Sequence, residues 1–191
     1  MLDRPKDDTP RNYGEFPVSA EPQAIRLRRP QATDGPAVTA LIAACPPLDR
    51  NSAYCNLVQC THFAAHCVIA ERGGRIVGWV SGHRPPSDPE AFFVWQVAVA
   101  AEARGQGLAG RMIRMLLARP EQRGVARLIT TVTHDNAASW ALFRGLAREW
   151  GAGLEQEPLF ERDAHFAGAH DTEFQASIGP LLPRMLQPEQ G

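Results

Sequence analysis

The stretch from Val97 to Arg111 has the makings of an anion cradle. An apolar run ends at Val99, Arg104-Gly105-Gln106-Gly107 follows, and a helical pattern begins at once with Leu108 and Ala109. Glycines let a backbone come close to a ligand. The unpaired N–H groups of a helix's first turn, with the helix dipole behind them, attract negative charge. A pyrophosphate suits such a loop, and Arg104 and Arg111 can add positive charge. Spacing alone leaves three readings. A P-loop needs Lys followed by Ser or Thr, and this loop has neither. Gly105, Gly107 and Gly110 have dinucleotide-loop spacing, but Arg123 to Leu128 has no acidic residue to hold a ribose. A glycine turn that binds nothing is the third.

The loop must be positioned by a strand before it and a helix after it. Ala91 to Val99 reads as a long apolar strand, and Gly105 to Arg119 as a helix burying Met112, Ile113, Leu116 and Leu117. Upstream, Ile25 to Arg28 alternates as a strand. Thr33 or Asp34 can cap a helix with Pro36 in its first turn, and Pro46-Pro47 stops it. Asn51 or Ser52 can cap a second helix carrying Tyr54, Leu57, Val58 and Thr61 on one face. Cys67 to Ala70 and Ile76 to Gly82 form a hairpin across Arg72-Gly73-Gly74-Arg75. Downstream come a strand over Leu128 to Val132, a helix over Asn136 to Glu149, and short segments at Leu159-Phe160 and Thr172 to Ile178. Hairpins beside a strand–helix–strand unit predict an α/β fold, a mixed twisted sheet of about six to seven strands flanked by helices.

Bulk properties narrow the function. The chain has 191 residues and a net charge of -1, with 44% apolar residues, which suits one soluble domain and excludes a nucleic-acid footprint. No apolar run approaches the ~20 residues of a membrane span. The first residues lack the apolar centre of a signal peptide, so cytoplasmic residence is expected. Residues 1–24 and 183–191 read as disordered tails around a single domain over 25–182. Cys45, Cys55, Cys60 and Cys67 contain no C-x-x-C pair and read as reduced thiols, with no metal site expected.

Arg104, Gly107 and Ala109, with Val97-Ala98-Val99 before them, resemble the pyrophosphate motif Arg/Gln-x-x-Gly-x-Gly/Ala of the GNAT N-acetyltransferases. Asn136-Ala137-Ala138 and Leu142-Phe143 resemble that superfamily's last motif. Longer stretches resemble one family within it, the L-2,4-diaminobutyrate acetyltransferases of ectoine biosynthesis. These are Leu48 to Tyr54, Cys60-Thr61-His62-Phe63, Phe93 to Val99, Thr131 to Ala138 and Ile178-Gly179-Pro180. The resemblance runs from Ile25 to Pro180. It implies direct transfer of acetyl from acetyl-CoA to the γ-amine of L-2,4-diaminobutyrate, by a homodimer.

The resemblance assigns the cofactor to Val97, Ala98, Val99, Arg104, Gly105, Gln106, Gly107, Leu108, Ala109, Asn136, Ser139 and Phe143, with the backbone near Val97 and Val99 pairing with the pantetheine arm. A diamino acid with two ammonium groups needs acidic residues and aromatic walls. Asp49, Asn51, Tyr54, Thr61, Trp95, Gln96, His170 and Glu173 are the expected substrate contacts. Asp49 competes with a role as a helix cap, Trp95 with core packing, and either Trp95 or Gln96 must face the cleft. Glu173 and His170, then Asp49, are the candidate bases for the amine proton. Arg84 is a candidate for the substrate carboxylate. Many superfamily members carry a proton-donating Tyr where Phe143 stands. Here Ser139, Asn136 with water, or Tyr54 must substitute, or the thiolate leaves unaided. Two further functions stay open: acetylation of another small amine, and a catalytically silent CoA-binding module.

Overall fold

A computed structural model describes residues 23–182. The expected tails over 1–24 and 183–191 lie outside the described residues apart from Gln23 and Ala24. Among the described residues seven strands form one sheet in the order β1-β2-β3-β4-β5-β7-β6. They are β1 (Arg26–Arg28), β2 (Val68–Arg72), β3 (Arg75–His83), β4 (Ala91–Val99), β5 (Arg127–Thr133), β6 (Gly153–Phe160) and β7 (Glu173–Gly179). The helices are α1 (Gly35–Ala43), α2 (Ala53–Thr61), α3 (Leu108–Leu117), α4 (Ala137–Trp150) and α5 (Arg162–Phe166). All neighbouring strands are antiparallel except β4 and β5. The mixed sheet is as expected. Among the described residues no helix is long and apolar enough to cross a membrane.

Helices cover the sheet in two layers, each fixed by strand alternation. On one face α3 and α4 bury Met112, Ile113, Leu116 and Leu146 against Phe92, Val94, Leu128 and Ile178. On the other, α1 packs Val38, Leu41 and Ile42 against Ile69, Trp79 and Ala98. The α1–α2 layer lies over the β2–β4 half. Thr131, Thr133, Glu173, Gln175 and Ser177 point to that same face from β5 and β7, since their neighbours Val132, Ala176 and Ile178 are in the α3–α4 core.

Three segments read weakly from sequence acquire definite form. β6 is an edge strand, mostly exposed, so Glu155-Gln156-Glu157-Pro158 carries no apolar alternation. α5 has only five residues and none is buried. α3 begins at Leu108 rather than Gly105, because Gly105 and Gly107 both have left-handed backbone, at φ 73° and 67°.

Candidate active site

The site is organised by the parting of two strands. β4 and β5 pair in parallel only from Ala91↔Arg127 to Val94↔Thr130. Beyond that point β5 pairs on its other side with β7, while Gln96–Val99 pairs only with β3. The far edge of Trp95–Val99 therefore offers backbone N–H and C=O groups to an extended ligand.

A bulge sits where the strands part. Ser81 pairs with Gln96 and Gly82 with Val94, so Trp95 has no partner on β3. The extra residue reverses the alternation. Phe92 and Val94 face α3 and α4, whereas Gln96 and Ala98 face the α1–α2 layer. Gly82 lets the bulge close, because a Cβ there would meet the Phe93 carbonyl oxygen at 2.4 Å and the Phe92 ring at 2.6 Å.

At the end of β4 the glycine loop leads into α3. Gly107 is its N-cap in the left-handed conformation, with no side-chain cap. The first amides of α3 are thus left to a ligand or to solvent. A cavity of about 400 Å³ opens here, lined by Val99, Arg104, Gly105, Gly107, Leu108 and Ala109, with Ala141 and Leu142 opposite on α4. Arg104 Nε donates to the Val99 carbonyl at 2.9 Å, folding the loop back on the strand. Asn136 caps α4 by accepting from the Ser139 amide at 3.0 Å. The Phe143 ring, an expected cofactor contact, is 3% exposed and packs in the α3–α4 core, and its neighbour Leu142 lines the cavity. The Leu108 and Ala98 side chains are also interior, so they serve the loop and strand through their backbones.

On the opposite face, Asp49 and His170 lie within electrostatic reach of Glu173. Burial pushes the Glu173 carboxyl above the usual carboxylate range and the Asp49 charge pushes it further; the Thr131 hydroxyl and His170 pull the other way. Thr131 is a contact that sequence reading missed. Glu173 pairs with Thr133, which puts Thr131 two residues away on the same face. His170 stacks edge-on with Phe166 at 5.4 Å between centroids. The helix-cap reading of Asp49 is excluded, since Ser52 caps α2 by accepting from the Cys55 amide at 3.1 Å.

Other expected contacts take different roles. Gln96 and Asn51 form a brace: Gln96 Nε2 donates to the Asp49 carbonyl at 2.7 Å, and Asn51 Nδ2 donates to Gln96 Oε1 at 2.9 Å. Asn56 extends it to Thr39 at 2.8 Å. Trp95, and not Gln96, is the residue that faces out, at 47% exposure. Tyr54 is 76% exposed on α2. The Thr61 hydroxyl, an expected substrate contact, donates to the Leu57 carbonyl of its own helix at 2.8 Å. Arg84, the candidate for the substrate carboxylate, directs its guanidinium to the carbonyls of Pro89, Glu121 and Arg123. Burial raises the thiols of Cys60 to about 11 and Cys67 to about 12, so neither is a nucleophile at neutral pH. Among the described residues no group of three His, Cys, Asp or Glu could hold a metal ion.

A strand edge opened beside a glycine loop at a helix N-terminus defines an acyl-CoA-type transferase, and the comparisons agree. Residues 36–147 match the acetyltransferase (GNAT) family. An L-2,4-diaminobutyric acid acetyltransferase of Methylotuvimicrobium alcaliphilum is 49% identical over 82% of this chain and 91% of its own. One from Bordetella parapertussis is 45% identical over 92% and 96%. Among solved structures, the diaminobutyrate acetyltransferase of Paenibacillus lautus, in complex with its substrate L-2,4-diaminobutyric acid and coenzyme A, superimposes with a TM-score of 0.79. It is 37% identical, over 88% of this chain and 99% of that one. The chain belongs to the GNAT acetyltransferases and, within them, to the L-2,4-diaminobutyric acid acetyltransferase family.

Proposed function

We propose that this protein moves the acetyl group of acetyl-CoA to the γ-amine of L-2,4-diaminobutyrate, giving N4-acetyl-L-2,4-diaminobutyrate in ectoine biosynthesis by direct transfer. The observation that carries the reading is the parting of β4 from β5 beside the glycine loop, with Asp49 and His170 within electrostatic reach of Glu173 on the other face. The first amides of α3 receive the pyrophosphate, and the free edge of Trp95–Val99 receives the pantetheine arm as an added strand. A backbone N–H near Val97 polarises the thioester carbonyl. Glu173, held at a raised pKa, accepts a proton from the ammonium directly or through His170 or water. The freed amine attacks the carbonyl carbon, a C–N bond forms, the C–S bond breaks, the thiolate departs, and the second nitrogen proton passes to that thiolate or to solvent. Phe143 has no proton to give and lies in the core, so the thiolate leaves without a donor from that position.

The same reading takes the enzyme to be a cytoplasmic homodimer. Thiols free of disulfides suit a reducing compartment, and the exposed Phe160 on edge strand β6 suits a second copy. A thiol-release assay with acetyl-CoA and a panel of amines tests the activity. CoA release with L-2,4-diaminobutyrate, and an N4-acetylated product by NMR, is expected. Release only with another amine rejects the substrate, and release with none rejects the enzyme. Light scattering on a sizing column tests the dimer.

A further inference from the structure

Thr130 on β5 is 3% exposed, although its neighbours on the same face, Leu128 and Val132, are apolar members of the α3–α4 core. A valine has the same shape and would continue that pattern. A buried hydroxyl is costly unless it is hydrogen-bonded. This one donates to the Val94 carbonyl of β4 at 2.9 Å. Val94 and Thr130 are the last partners of the parallel ladder, so the hydroxyl sits at the fork where the strands part.

The peptide it holds is also the first of the bulge. The Phe93 carbonyl faces β3, where a Cβ on Gly82 would meet it at 2.4 Å. The Val94 carbonyl faces β5, as alternation along a strand requires. Continued unbroken, that alternation would turn the Val97 and Val99 backbone groups toward β3. They face the other way. The Ala100 amide donates to Val77 of β3 at 2.9 Å, so Ala98 faces β3 with it, and Val97 and Val99 face the open side. The Val99 carbonyl accepts from Arg104 there.

The extra residue at Trp95 makes this change of phase. A trans peptide is planar, with its C=O and N–H opposed. Holding the Val94 oxygen toward β5 therefore holds the Trp95 N–H toward β3. One hydroxyl thus fixes the residue at which the phase changes, and with it the direction of the Val97 N–H.

We propose that Thr130 is a positioning residue for acetyl transfer: its hydroxyl pins the Val94–Trp95 peptide at the fork and so aims the Val97 N–H at the thioester carbonyl. The proposal rests on the functional reading above. Being buried, Thr130 acts through the main chain of β4 and not by contact with either substrate. A donor moved off the developing oxyanion loses its effect on the transition state far more than its effect on binding.

Two variants separate the hydroxyl from the packing. Thr130→Val keeps the shape and removes the donor, whereas Thr130→Ser keeps the donor and removes a buried methyl. Each is assayed well below its Tm, with acetyl-CoA and the amine that the wild-type enzyme acetylates. Thr130→Val should lose about tenfold to a hundredfold in kcat. Its Kd for CoA, which carries no acetyl carbonyl, should be unchanged by calorimetry. Thr130→Ser should keep the wild-type kcat even where its Tm falls. If Thr130→Val does not fold, Thr130→Ala, which also lacks the donor, is compared with Thr130→Ser in the same way. An unchanged kcat without the hydroxyl overturns the proposal, and so does an equal loss in Thr130→Ser, which makes packing the cause. A CoA affinity that falls in step with kcat also overturns it, because the fork then serves the pantetheine arm. These outcomes leave the enzyme reading standing. A wild-type enzyme that releases no CoA with any amine overturns both.

Discussion

Gln96 Nε2 reaches the main-chain carbonyl of Asp49 at 2.7 Å, joining β4 to the loop before α2 across 47 residues of sequence. The Asp49 backbone is thus fixed by the strand that carries the cofactor edge. Gln96→Leu should leave the Asp49 carbonyl without this donor and the Asn51 amide with Asn56 Oδ1 as its remaining acceptor, and cost about 1–3 kcal/mol. The expected kinetic result is a raised KM for L-2,4-diaminobutyrate with KM for acetyl-CoA unchanged. Chemical denaturation and steady-state kinetics on the one variant check both.

Glu173→Gln should lower kcat by about 10²–10⁴, the usual worth of a positioned base, with circular dichroism unchanged. Because burial raises this carboxyl, the acid limb of the wild-type kcat/KM profile should lie above the ordinary glutamate range. The variant should lose that limb. The stability sign is opposite to the activity sign. A carboxyl raised in the folded state stabilises below its unfolded pKa, and that contribution disappears as pH rises through the folded value. At neutral pH Glu173→Gln should therefore melt no lower than wild type. A matched wild-type pH profile in the variant would remove Glu173 from proton transfer.

Gly107 caps α3 at φ 67°, a conformation costly for a side-chain-bearing residue. A Cβ there meets nothing within 4 Å, so space is not the constraint. Gly107→Ala should cost about 1 kcal/mol of stability and change KM for acetyl-CoA little. Gly107→Glu adds a negative charge beside the first amides of α3 and should raise that KM at least tenfold. Calorimetry with CoA separates the two effects.

Much of this was legible in the residues. The apolar run Ala91 to Val99 and the glycines after it announce strand, loop and helix, because periodicity and positive-φ glycines are local properties. Ser52 and Asp49 could not be told apart as caps, since either side chain can reach an N-terminal amide. Gln96 looked like a substrate contact because the bulge at Trp95, which turns it to the α1–α2 face, depends on pairing with β3. Thr131 was hidden because its neighbour Glu173 is 42 positions further along the chain, and only the β5–β7 register brings them together. Phe143 follows Leu142 on one helix, and which of the two faces the cofactor depends on the helix's rotation against the sheet.

Arg119 is buried at 8% exposure, and its Nη1 donates to the carbonyls of Ala65 and Cys67 at 3.0 and 2.7 Å. Burial lowers its pKa to about 10. It fastens the end of α3 to the turn before β2. Arg119→Ala should lower stability by about 2–4 kcal/mol, through unpaired carbonyls and lost packing, while the folded fraction keeps wild-type kcat. Urea titration monitored by tryptophan fluorescence measures it.

Arg28 bridges Asp34 and Glu71, each at 2.7 Å, and lowers the pKa of both carboxyls. Depressed carboxyls stabilise above their unfolded values, and that contribution disappears as pH falls through the folded ones. Arg28→Ala should therefore lower Tm at pH 7 and make little difference in strong acid. Melting curves from pH 2 to pH 7 follow the convergence.

The parting of β4 from β5 has one more consequence. A strand with an unpaired edge invites other extended chains, and most proteins guard such edges with charge or proline on the outside of a sheet. Here the unguarded edge is in the middle of the sheet, inside a notch whose other wall is β5. A thin, flexible arm can thread that notch, but a polypeptide with its own side chains and a sheet behind it cannot. The protein keeps a sticky backbone ready for its ligand without becoming a seed for fibrils.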